Sequence, residues 1–78
     1  MKAVITVIGK DMVGILAKVS GTCAEVNANV AEVTQSVLQD YFAMIMIVDI
    51  QKMTCSLEEL KAKLEEKVPE KVYTSLEQ

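Results

Sequence analysis

The segment Gly9-Lys10-Asp11-Met12-Val13-Gly14-Ile15 is where this chain is best equipped to hold a ligand. It lies between a β-branched run and an amphipathic one, so it should carry the end of a strand into the start of a helix. A helix start offers backbone N–H groups without acceptors and the positive end of the helix dipole, and together these suit an anion such as an α-carboxylate. Asp11 is the expected N-cap. Gly14 is expected in the first turn, where glycine costs about 0.5–1 kcal/mol relative to alanine. Two readings fit that glycine. Its missing side chain lets a carboxylate reach the N–H groups of Met12 to Ile15, or it lets the helix pack closely on a sheet. The first expects Gly14→Ala to remove binding at little cost in stability, and the second expects it to destabilise the fold.

Other chemistry is mostly excluded by residue type. Gly9 and Gly14 match the two glycines of G-x-x-x-x-G-K-[ST], but Ile15 and Leu16 stand where that loop needs Lys and Ser/Thr. The chain has no histidine, so Ser20, Thr34 and Ser36 have no imidazole to activate them. Asp11, Glu32, Asp40 and Asp49 have no spacing that forces two carboxylates together. The two cysteines, Cys23 and Cys55, form neither a C-x-x-C nor a metal-ligand pattern, and both read as free thiols acting as small hydrophobes in a reducing, cytoplasmic setting. All eight basic residues are lysines and the net charge is −3, which argues against nucleic acid as a partner. No cofactor is implied, no apolar run is long enough to span a membrane, and the chain is not expected to be an enzyme.

The elements that must position the loop follow from periodicity. Lys2 to Ile8 is apolar on both faces except at Thr6, as in a central strand. Leu16, Val19, Cys23 and Val26 form the apolar stripe of a helix from Met12 to Val26, with Lys18, Thr22 and Glu25 on its polar side. Val30 to Leu38 is a strand with one wetter face, and Gln39-Asp40 turns it into Tyr41 to Ile50, a second strand apolar on both sides. Ser56-Leu57-Glu58-Glu59 is a capping box, followed by the stripe Leu57, Leu60 and Leu64, with Pro69 as the stop. Lys71 to Leu76 alternates as a short last strand.

The resulting order is βαββαβ, a single α+β ferredoxin-like domain over residues 1–78, with a four-stranded antiparallel sheet and both helices on one face. At 78 residues with 51% hydrophobic content, its other sheet face would be an exposed apolar patch, so a homodimer is expected.

Asp11-x-x-Gly14-Ile15-x-Ala17-x-Val19-Ser20, then Asn29-Val30, then Val33-x-Gln35-x-Val37, resembles ACT domains. The likeness is strongest to small stand-alone ACT proteins and to the ACT modules of the glycine-cleavage-system repressor and formyltetrahydrofolate deformylase. It covers residues 1–50 well and the second helix in pattern. It implies a non-catalytic regulatory module that pairs with a copy of itself and binds an amino acid or similar small metabolite at the interface, near the first loop. The residues it points to are Asp11, Met12, Val13, Gly14, Ile15 and Asn29. Position 12, often basic in such loops, is methionine here. A dimerisation or protein-interaction module without ligand is the alternative.

Overall fold

The computed structural model describes residues 1–10, 14–68 and 70–77. Six elements follow in order: β1 (Lys2–Gly9), α1 (Ile15–Glu25), β2 (Asn29–Leu38), β3 (Tyr41–Asp49), α2 (Leu57–Lys67) and β4 (Lys71–Glu77). The strands form one antiparallel sheet in the order β2-β3-β1-β4. The two strands that read as apolar on both faces therefore occupy the centre, and β4 is a full partner of β1 from Ile8 opposite Lys71 to Lys2 opposite Glu77.

Alternation decides which half of each strand enters the core. Ala3, Ile5 and Val7 of β1 and Phe42, Met44, Met46 and Val48 of β3 are buried against α1 and α2. Their neighbours one residue along turn to the opposite face, where Ile8, Tyr41, Ile45 and Tyr73 are 39–51% exposed. Both helices thus cover one face and leave the other open. The Ser56 capping box is formed: the Glu59 N–H donates to Ser56 Oγ at 3.1 Å, and the Ser56 N–H reaches Glu59 Oε1 at 3.5 Å. The α2 helix ends at Lys67, while Pro69, its expected stop, lies outside the described residues.

Helix α1 differs from expectation in start and phase. It begins at Ile15 rather than Met12, and Ile15, Val19, Thr22 and Cys23 are its buried residues. Leu16, expected on the stripe, is 42% exposed, because one residue is about 100° of helix rotation and Ile15 takes the inward position. Thr22, expected on the polar side, is buried. Its hydroxyl donates to the Lys18 carbonyl at 2.8 Å, which removes the cost of burying it.

Strand β2 differs too. A bulge between Val30 and Glu32 resets its register on β3, and from Ala31 to Leu38 both of its faces are exposed. Val33 and Val37 lie on the helix side, opposite Met46 and Phe42, yet are 40% and 61% exposed. The helices stop short of this edge. The turn after β2 has no glycine, and Gln39 takes its place at φ 54.

The two faces of β3 should respond oppositely to charge. Met44→Lys buries an ammonium where no water reaches and should cost several kcal/mol, abolishing a cooperative melt. Ile45→Lys, one residue on, should keep the wild-type circular dichroism and melt within about 4 °C of it.

Candidate functional site

The described part of the first loop begins again at Gly14, which is the N-cap of α1 and not a first-turn residue. Its φ of 76° and ψ of −2° lie in the left-handed region, which explains why glycine stands there. Among the described residues no side chain caps the helix, and its first turn holds no acidic residue. The Gly14 carbonyl accepts from the Lys18 N–H at 3.0 Å, so the N–H groups of Ile15, Leu16 and Ala17 lie ahead of the first intrahelical bond. Asp11, Met12 and Val13 lie outside the described residues, and the expected Asp11 cap with them.

Among the described residues, none comes within 4 Å of where a Cβ on Gly14 would stand. The reading of close packing between helix and sheet therefore fails. The expectation that alanine would cost little fails as well, since the left-handed backbone strains any L side chain. Gly9 is the glycine with a packing role: Glu70 lies across it, and a Cβ there would collide with Glu70 Cγ. Glu70 Oε1 is buried with no hydrogen-bond partner among the described residues. Lys10 Nζ stands 5.3 Å from the centroid of the Tyr41 ring, a cation–π distance.

Asn29 is not beside this loop. It pairs with Asp49, which also pairs with Lys2, whereas Gly9 pairs with Phe42 at the other end of β3. Phe42 and Asp49 are seven positions apart along the strand, about 23 Å at the usual rise. Gly14 and Ile15 thus form one end of the molecule and Asn29 the other.

At the Asn29 end the sheet and the end of α1 enclose a cleft of about 320 Å³ lined by Asn27, Asn29, Asp49, Gln51 and Lys52. Asn27, Asp49, Gln51 and Lys52 were not among the expected site residues. The segment Asn27-Ala28-Asn29 carries two of these five residues, and only the antiparallel register joins it to Asp49. Among the described residues, no cluster of three or more His, Cys, Asp or Glu side chains is placed to hold a metal ion, and no helix is long and apolar enough to cross a membrane.

Both cysteines are free. Cys55 is half-buried and packs against the core. Cys23 is fully buried on α1, and burial pushes its thiol from 9.0 up to about 11.

A sheet in the order β2-β3-β1-β4 beneath two helices, connected βαββαβ, is the ferredoxin-like architecture of ACT domains. A family profile described as the ACT domain matches residues 2–74, and the chain belongs to that family. A UPF0237 protein of Clostridium acetobutylicum is 48% identical over 67 residues, which are 86% of this chain and 75% of that protein. An ACT domain protein from Streptococcus pneumoniae superposes with a TM-score of 0.81 at 35% identity, covering 96% of this chain and 88% of that one. A formyltetrahydrofolate deformylase from Pseudomonas syringae shares the fold at 21% identity and a TM-score of 0.78, with 96% of this chain matching 27% of that enzyme.

Two measurements check these assignments. Gly14→Ala should cost about 1–2 kcal/mol, a drop of roughly 5–10 °C in melting temperature, while Gly14→Asn, which tolerates the left-handed region, should lose about half as much. The folded state holds the Cys23 proton more tightly than the unfolded chain. Its contribution to stability is therefore complete below about pH 9 and is lost as pH rises toward about 11. Denaturant melts of wild type should weaken across that window by up to about 2–3 kcal/mol more than those of Cys23→Ala.

Proposed function

We propose that this ACT domain is a non-catalytic regulatory module, acting in the reducing cytoplasm, in which two copies associate and hold an amino acid or similar small metabolite at their interface. The observation that carries the reading is the edge strand β2. It is ten residues long, exposed from Ala31 to Leu38, and carries Glu32 as its single charge, with no proline or lysine to discourage pairing. Beside it, α1 turns Ala17, Gly21 and Ala24 outward, small residues at helical spacing that let a second helix come close. Two β2 edges paired antiparallel would continue the sheet and bury Val33 and Val37 of both copies.

That pairing also accounts for the separated site residues. In one chain Gly14 and Ile15, the described end of the first loop, and Asn29 belong to opposite ends of the sheet. Antiparallel edges bring the Asn29 end of one copy toward the first loop of the other. A ligand carboxylate would meet the N–H groups at the start of α1, and an Asn29 amide from the second copy would supply a further contact.

The open sheet face supports a second reading, a ligand-free interaction module that pairs face to face. Ile8, Tyr41, Ile45 and Tyr73 are its exposed apolar residues, and Met12 and the lack of arginine fit the loss of a charged ligand.

Sedimentation equilibrium separates the two. Val33→Lys combined with Val37→Lys should weaken dimerisation by on the order of 100-fold, since four ammonium groups then meet at one seam. Ile45→Lys should leave it unchanged. Dissociation by Ile45→Lys alone would assign the interface to the open face, and a wild type that stays monomeric would refute both.

A further inference from the structure

We infer, building on the association of β2 edges proposed above, that Gln35 lies opposite its own copy on the two-fold axis of the seam. The paired carboxamides fix the register of the two strands and make a second copy of this chain the partner that the edge selects.

Symmetry restricts the register. When two identical edges pair antiparallel with both sets of helices on one side of the sheet, each residue faces another from the same side of its strand. Alternation then separates facing residues by an even number of positions, so one residue lies opposite its own copy. Strand β2 pairs regularly with β3 from Glu32, after the bulge, to Leu38, before the turn at Gln39. The midpoint of that stretch is Gln35. Around it the sequence Val33-Thr34-Gln35-Ser36-Val37 has the same side-chain chemistry in both directions.

Centred on Gln35, every pair across the seam is a favourable one. Val33 faces Val37 of the second copy on the helix side, and Thr34 faces Ser36 on the open side. Glu32, the single charge of the stretch, falls opposite Leu38, which leaves the two carboxylates about 20 Å apart. Within one chain Gln35 is exposed, opposite Met44 and between the two valines. Among the described residues its carboxamide meets only the Met44 sulfur, to which Nε2 donates at 3.7 Å, and a thioether is a weak acceptor. Two carboxamides across a two-fold axis can each donate to and accept from the other.

The neighbouring registers lose these pairs. Centred on Thr34, Gln35 faces Val33 and the pairing runs into the bulge. Centred on Ser36, Gln35 faces Val37, and Val33 faces Gln39 in the turn. Either way two carboxamides are set against valines, and a polar group left unpaired in a buried seam costs stability. A lone polar pair in an apolar seam specifies register in the same manner in coiled coils.

The test is disulfide trapping of the full chain carrying Thr34→Cys, Gln35→Cys or Ser36→Cys, each with Cys55→Ser, the remaining Cys23 being fully buried. Residues facing their own copy have Cα atoms about 4.5–5.5 Å apart, within disulfide reach, and residues one position off the axis are about 7–8 Å from theirs, beyond it. Gln35→Cys should therefore cross-link on the order of tenfold faster than either neighbour, and a mixture of Thr34→Cys with Ser36→Cys should cross-link as well. In sedimentation equilibrium, Gln35→Glu and Gln35→Lys should each dimerise about tenfold more weakly than wild type, and their equimolar mixture should recover association as a heterodimer. Fastest trapping at position 34 or 36 would overturn Gln35 as the axis while leaving the edge association standing. A dimeric wild type that traps at none of the three positions, or a mixture no tighter than its components, would overturn the carboxamide pair. A monomeric wild type would overturn the seam and the edge association together.

Discussion

The pairing of β1 with β3 is the contact on which the rest of the domain depends. Ile5 opposite Met46 and Val7 opposite Met44 place four large side chains, all fully buried, in the middle of the helix-facing surface. A chain of this size buries only about 60% of the surface its unfolded form exposes, so there is no second core to share the load. Each helix then contributes a few residues to the same layer: Ile15, Val19 and Cys23 from α1, Leu60 and Leu64 from α2.

Covering one face well leaves other surfaces bare. Two helices of 11 residues each do not reach across a four-stranded sheet, and the uncovered part falls on β2 and on the opposite face of β1 and β3. The molecule is consequently polarised in two directions: across the sheet, from a covered to an open face, and along the strands, from the α1 start to the Asn29 end. The polar groups follow the second direction. The N–H groups at the start of α1 stand at one end, and carboxamides, a carboxylate and an ammonium at the other. In the proposed pairing a second antiparallel copy would bring these unlike ends together.

Much of this was legible in the residues. β-branched runs without polar alternation marked β1 and β3 as central, and the capping box located the start of α2 to the residue. The phase of α1 was not legible. Ile15 and Leu16 are adjacent apolar residues, and each makes an acceptable helical stripe with Val19 and Cys23. Periodicity cannot choose between them, because the choice depends on where the helix lands on the sheet. The left-handed backbone at Gly14 was hidden for a related reason, as a glycine's sequence neighbours do not reveal its φ.

The order of elements and the assignment of β1 and β3 to the middle of the sheet were determined by sequence alone, because apolar periodicity is a local property that each segment carries by itself. The bulge at Val30–Glu32, the exposure of β2 and the cleft shared by Asn27, Asn29, Asp49, Gln51 and Lys52 were decided only by tertiary structure. Asn29 and Asp49 are 20 positions apart and meet through hydrogen bonds between two strands. A one-residue slip in that register would turn every side chain of β2 to the other face. Which polar residues become neighbours is thus set by the packing of the whole sheet, and no single segment encodes it.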